Sequence, residues 1–163
     1  MDSARWLFAV KVRDRPGTLT AVASVFSNRG VSIQMLLGST LGAETGDDIS
    51  LFFVFEASER RMNTLLRATG RLDNVTSVTH HPYDSEALRA VAFVHVDPQG
   101  LSHDQQLPAI ADAESVTFAP VLCDEQHETW ILMAHPGSLE RCLGRLRESG
   151  SLIDATITII PVR

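Results

Sequence analysis

An alternating strand that runs straight into Asp14-Arg15-Pro16-Gly17-Thr18-Leu19 leaves few ways to fold. Proline presets φ at the second position of a type II turn and glycine takes the positive φ at the third, so the chain reverses within Arg15–Thr18. Leu19, Val22, Ala23 and Phe26 then fall at i, i+3, i+4 and i+7, the spacing of one buried helix face. The period changes from two to 3.6 across a single turn. The amides of Gly17, Thr18 and Leu19 would stand free at a helix N-terminus and carry partial positive charge, which suits a carboxylate. Asp14 beside them suits an ammonium. Together they match the two ends of a free α-amino acid, although the same residues also make an ordinary strand-to-helix turn.

The rest of the chain repeats this beginning. Arg5–Arg13 reads as a strand, with Trp6, Phe8, Val10 and Val12 on one face, and the helix after the turn stops at Gly30. Val31–Leu41 alternates through Val31, Ile33, Met35 and Leu37, and Gly42–Asp48 makes a polar hairpin loop. Ile49–Glu56 is a dense apolar strand. Ser58 caps a second helix with Met62, Leu65 and Leu66 on its stripe, and Val75–Tyr83 closes the unit. The order β-α-β-β-α-β is the ferredoxin-like pattern, with strands one and three side by side and both helices on one face.

After a polar linker, Leu88–Asp97 is again a strand and ends in Asp97-Pro98-Gln99-Gly100-Leu101, an echo of the first turn. Ser102 to Gln105 fits a capping box, and Pro108 makes the following helix short, kinked or late-starting. Ser115–Asp124 and His127–His135 form a hairpin with Asp124–Gln126 at its tip. Ser138 caps a helix carrying Leu139, Cys142, Leu143 and Leu146; Gly150 ends it, and Leu152–Val162 is the last strand. The fold class is α+β: two ferredoxin-like modules, 1–83 and 84–163, each an antiparallel sheet with its helices on one face.

The first module resembles the ACT domain, a family of small βαββαβ regulatory modules that bind amino acids. The residues that carry the resemblance are Asp14-Arg-Pro16-Gly17-Thr-Leu19, the apolar helix, and Asn28-Arg29-Gly30-Val31-Ser32-Ile33. The second module shares the order of elements and an altered turn. In flavour the chain is similar to tandem-ACT proteins of the acetolactate synthase small regulatory subunit type. That type often has Asn at the positions of Asp14 and Ser32, and this chain departs at both.

The resemblance implies regulation without catalysis and a partner enzyme of amino-acid metabolism, while the largely apolar open sheet face and the edge strands suggest a homodimer. The resemblance also implies a ligand site at a module interface: Asp14, Arg15, Pro16, Gly17, Thr18 and Leu19 from one module, Ser32 and Ile33 from a neighbour, and more weakly Asp97, Gly100 and Leu101 in the second module. A ligand-free subunit-interaction module is the alternative.

Several classes fit poorly. A formal net charge of −6 argues against a sequence-independent nucleic-acid binder. Phe52, Phe53 and Phe55 read as core and interface, because no basic-aromatic motif accompanies them. No apolar run reaches the ~18 residues of a membrane span, and the N-terminus lacks a signal-peptide layout, so the expected setting is the cytoplasm. His80, His81, His95, His103, His127 and His135 have no metal-ligand spacing, and His80 and His81 point to opposite strand faces. Cys123 and Cys142 make no zinc or disulfide pattern, and Cys142 reads as core. No nucleophile–base pair and no phosphate loop is present, so no cofactor or metal is expected.

Overall fold

The computed structural model describes residues 3–39, 48–97, 99, 102, 106–123 and 127–162. They divide into two units, Met1–Ser85 and Glu86–Arg163.

The first unit runs β1 (Ala4–Arg13), α1 (Thr18–Ser27), β2 (Ile33–Ser39), β3 (Asp48–Ala57), α2 (Glu59–Thr69) and β4 (Val75–Pro82). Its antiparallel sheet has the order β2-β3-β1-β4, so the two most apolar strands take the centre. Alternation on β1 and β3 sends Phe8, Val10, Val12, Leu51, Phe53 and Phe55 toward the helices. Phe26 of α1 descends among them: its ring stacks on Phe53 at 5.3 Å and meets Phe55 edge-on at 5.1 Å, while Phe8 meets Phe55 at 4.8 Å. Val22, Val25, Met62 and Leu65 complete this core.

Two details depart from the sequence reading. The buried face of α1 is Thr18, Val22, Val25 and Phe26, whereas Leu19 is 45% exposed. The alternation of β2 breaks at a register shift between Ile33 and Met35, so that Leu36, not Leu37, shares Phe53's row. A bulge of this kind re-aims every later side chain.

The second unit runs β5 (Leu88–Val96), α3 (Leu107–Ala113), β6 (Thr117–Cys123), β7 (Glu128–Ala134), α4 (Pro136–Glu148) and β8 (Leu152–Pro161), with sheet order β6-β7-β5-β8. Its core is aliphatic, built on Leu88, Leu132, Leu139 and Leu146. As Pro108 requires, α3 starts late, with Gln106 at its N-cap and the proline in its first turn. α4 begins earlier than expected: its N-cap is His135, whose Nδ1 accepts the Gly137 N–H at 3.2 Å, with Pro136 in the first turn, rather than Ser138. The expected tips at Gly42–Asp48 and Asp124–Gln126 fall largely outside the described residues. The sheet faces turned from the helices are apolar in both units, through Leu7, Phe52 and Val54 in the first and Val91, Phe93, Ile131 and Met133 in the second. Phe93 and Met133 are 47% and 48% exposed. No helix among the described residues is long and apolar enough to cross a membrane.

Candidate functional site

Gly17 adopts φ 85° and ψ −9°, and the Thr18 N–H donates to the Arg15 carbonyl at 3.1 Å, the geometry of a type II turn. Three hydrogen bonds fasten this turn to the sheet. The Thr18 hydroxyl donates to the Arg13 carbonyl at 3.3 Å, Asn74 Nδ2 donates to the Thr18 Oγ1 at 3.1 Å, and the Arg13 N–H donates to the Asn74 carbonyl at 2.9 Å. Thr18 is therefore a buried anchor, and both its hydroxyl and its amide are turned inward. The amides of Leu19 and Thr20, in the first turn of α1, have no intrahelical acceptor by position and carry the positive end of the helix dipole.

Beside the turn lies a cavity of about 340 Å³. Asp14, Gly17 and Leu19 form one wall, and Gly38 and Ser39 at the far end of β2 form the other. Ile49 and Leu51 form an apolar floor. Asp14 makes no ion pair among the described residues, and it is exposed, as are Arg15 and Pro16. The exposed Leu19 is a wall of this cavity. Its departure from the core face follows from Thr18 taking the inward position through Asn74. The turn motif does not reach Gly38 and Ser39. The one available signal was a glycine inside an alternating strand, which marks close approach; a Cβ at Gly38 would meet Leu51 Cδ2 at 3.2 Å.

Ser32 and Ile33 lie elsewhere. Ile33 is in register with Phe55 and hence with Trp6, while the turn follows Arg13. At about 3.3 Å per residue along β1, the two groups are about 23 Å apart within one unit. One unit thus brings together Asp14 to Leu19 and leaves Ser32 and Ile33 at its opposite end. Ser32 is exposed there, beside edge strand β2.

The corresponding corner of the second unit is different. Asp97 Oδ1 accepts the Gln99 N–H at 2.9 Å, and Gly100 and Leu101 lie outside the described residues. The cavity there is about 110 Å³, well below the several hundred Å³ usual for small-molecule pockets. Trp130 lines it and donates its indole N–H to Glu128 Oε2 at 2.8 Å.

Among the described residues, no group of three or more histidine, cysteine and acidic side chains could hold a metal. Cys142 is fully buried in its helix face, and burial, with Glu114 adding to it, pushes the thiol up to about 11. Such a thiol is a packing residue, not a nucleophile.

Residues 6–74 match the family model of the ACT domain. An acetolactate synthase small subunit of Mycolicibacterium smegmatis is 28% identical, with the match covering 78% of this chain and 79% of that protein. An acetolactate synthase small subunit of Mycobacterium bovis is also 28% identical, with 63% of this chain and 60% of that protein covered, so the matched region spans less than two thirds of that relative. Among solved structures, the small subunit of acetolactate synthase from Thermotoga maritima superposes with a TM-score of 0.70 at 17% identity, covering 98% of each chain. That likeness carries the fold across both units.

Proposed function

We propose that this chain, whose first unit is an ACT domain, is a non-catalytic regulatory subunit that binds a free amino acid. The observation that supports this reading is the 340 Å³ cavity between the Gly17 turn and the end of β2. Leu19 and Thr20 amides serve the ligand carboxylate, Asp14 serves its ammonium, and the apolar floor of Ile49 and Leu51 receives its side chain. One unit supplies two walls and the floor, and closing the cavity takes a further wall.

A second copy supplies it. β2 is an edge strand, and two identical edge strands pair antiparallel about a two-fold axis. An axis near Leu36, at mid-strand, carries Ser32 and Ile33 of one copy to Gly38 and Ser39 of the other, and so to its Asp14–Leu19 corner. Closure over the ligand removes water from Asp14 and strengthens its interaction with the ammonium. The ligand stabilises the paired state, and by linkage anything that senses pairing senses the ligand. Since the similar proteins are small subunits of acetolactate synthase, the partner is the catalytic subunit of that enzyme or of a close counterpart in amino-acid biosynthesis, in the cytoplasm. The second unit, with its shrunken corner, serves contact more than sensing.

The exposed Phe93 and Met133 favour one alternative, a scaffold that pairs with an enzyme and binds no small molecule. A thermal-shift screen against the twenty amino acids at millimolar concentration separates the two. A ligand bound only by the folded state adds about 2.7 kcal/mol at a hundredfold excess over Kd. The expected result is a rise in Tm confined to one chemical class of amino acid. A flat screen would leave the scaffold reading.

A further inference from the structure

The largest cavity described in the first unit lies away from the turn, where α1 ends and α2 begins. It is an open cleft of about 590 Å³, and Arg60, Arg61 and Thr64 on its walls are exposed. Arg29, Arg60 and Arg61 line it, together with the hydroxyls of Ser58 and Thr64. Among the described lining residues Glu56 alone is acidic, and it stands opposite Arg5 in the β1–β3 register. The chain as a whole is acidic, with a net charge of −6, so three guanidiniums around one cavity are a local inversion.

Their position is unfavourable unless something offsets it. Arg60 and Arg61 follow Glu59 in the first turn of α2, the positive end of its dipole, where cations destabilise a helix and Glu59 offsets only part of that cost. Neither makes an ion pair among the described residues. The Ser58 side chain makes no capping hydrogen bond, so the first amides of α2 receive no acceptor from it. Arg29 is held from the other side, its Nη1 donating to the Val25 carbonyl at 3.0 Å, and this fixes one guanidinium in place.

We infer that this cavity binds a small molecule through a phosphate or diphosphate group, independently of the amino-acid site. Planar guanidiniums take phosphate oxygens in pairs, and several of them match the multiple charges of a diphosphate. A zwitterionic amino acid fits worse, because its ammonium meets the same positive field. Ala57 and the aliphatic arms of the arginines leave an apolar wall for whatever the phosphate is attached to.

Calorimetric titration of the full chain at low ionic strength with inorganic pyrophosphate tests this. One pyrophosphate should bind per chain. The double substitution Arg60→Gln/Arg61→Gln should weaken it by at least about tenfold. Arg67→Gln, on the same helix but outside the cavity, should change it by less than about twofold. The double variant should melt no lower than the parent, because it removes cations from a helix N-terminus. Its amino-acid response should persist, which separates this site from the first one. Titration with ADP identifies the source: tighter binding than pyrophosphate assigns a nucleoside diphosphate, weaker binding an inorganic anion. No heat with millimolar pyrophosphate, or equal losses in the double variant and in Arg67→Gln, would overturn the inference.

Discussion

Gly17→Asp abolishes amino-acid binding and leaves the first unit folded. A Cβ built at Gly17 meets nothing within 4 Å, so the new side chain enters the open cavity rather than the core. On the proposed site its carboxylate competes with the ligand carboxylate for the Leu19 and Thr20 amides. Like-charge juxtaposition at a closed interface costs several kcal/mol, and about 3 kcal/mol is already two orders of magnitude in affinity. The fold is affected less. Gly17 sits at φ 85°, and a side chain there costs about 1 kcal/mol, aspartate being among the residues that tolerate this region best. Gly150→Asp is the matched control, with φ 76° and open space at its Cβ but a place in the second unit. It should lose the same stability and retain binding. Calorimetry with the amino acid found by the thermal screen reads the difference. If Gly17→Asp binds within about threefold of the parent, the carboxylate cradle is not at this turn.

Phe26→Ala unfolds the first unit under conditions that the parent survives. Phe26 is fully buried and its ring touches those of Phe8, Phe53 and Phe55, at centroid distances of 5.9, 5.3 and 5.1 Å. Removing a phenyl ring from such a site forfeits its transfer free energy and leaves a cavity lined by rigid rings, about 3–5 kcal/mol in all. Domains of this size hold only about 5–15 kcal/mol. Urea unfolding followed at Trp6, in a Trp130→Phe background, isolates the first unit, because the chain has two tryptophans. The midpoint should fall by about 2 M for a slope near 2 kcal/mol per molar. A loss below about 1 kcal/mol would mean that the four rings are not the core.

The parts of this fold that were legible in the sequence are those fixed by local chemistry. Pro16-Gly17 dictates the turn because few residues other than glycine accept φ 85°. Gly30 and Gly150, at φ 63° and 76°, end their helices for the same reason. The density of apolar residues in β1 and β3 placed them at the centre of the sheet. What escaped depends on distant partners. Leu19 belongs by spacing to the buried face of α1, but Asn74 draws Thr18 inward and rotates Leu19 onto the cavity. The shift between Ile33 and Met35 is a property of the β2–β3 ladder, and no residue in β2 announces it. Ser138 looked like a cap, yet Pro136 already marks the first turn of α4 and makes His135 the cap. The wall formed by Gly38 and Ser39 requires knowing that β2 ends beside the turn. Ser32 lies at the opposite end of its own unit from the turn, so a pocket that uses both draws them from two modules, as the family resemblance implies.

That claim has a direct test. Ser32→Trp is exposed in its own unit and should leave the fold intact while blocking the pocket of a neighbouring copy. Gly17→Asp blocks the pocket on its own copy. Each variant alone should bind no amino acid. Co-expressed, they form mixed dimers in which one pocket combines two blocked halves and the other combines two intact halves. With random pairing, about a quarter of the parent's sites should return, at the parent's affinity, measured by calorimetric titration of the mixture. If the mixture recovers none, or if Ser32→Trp alone binds as the parent does, then Ser32 of a second copy does not close the pocket and the paired-β2 site is wrong.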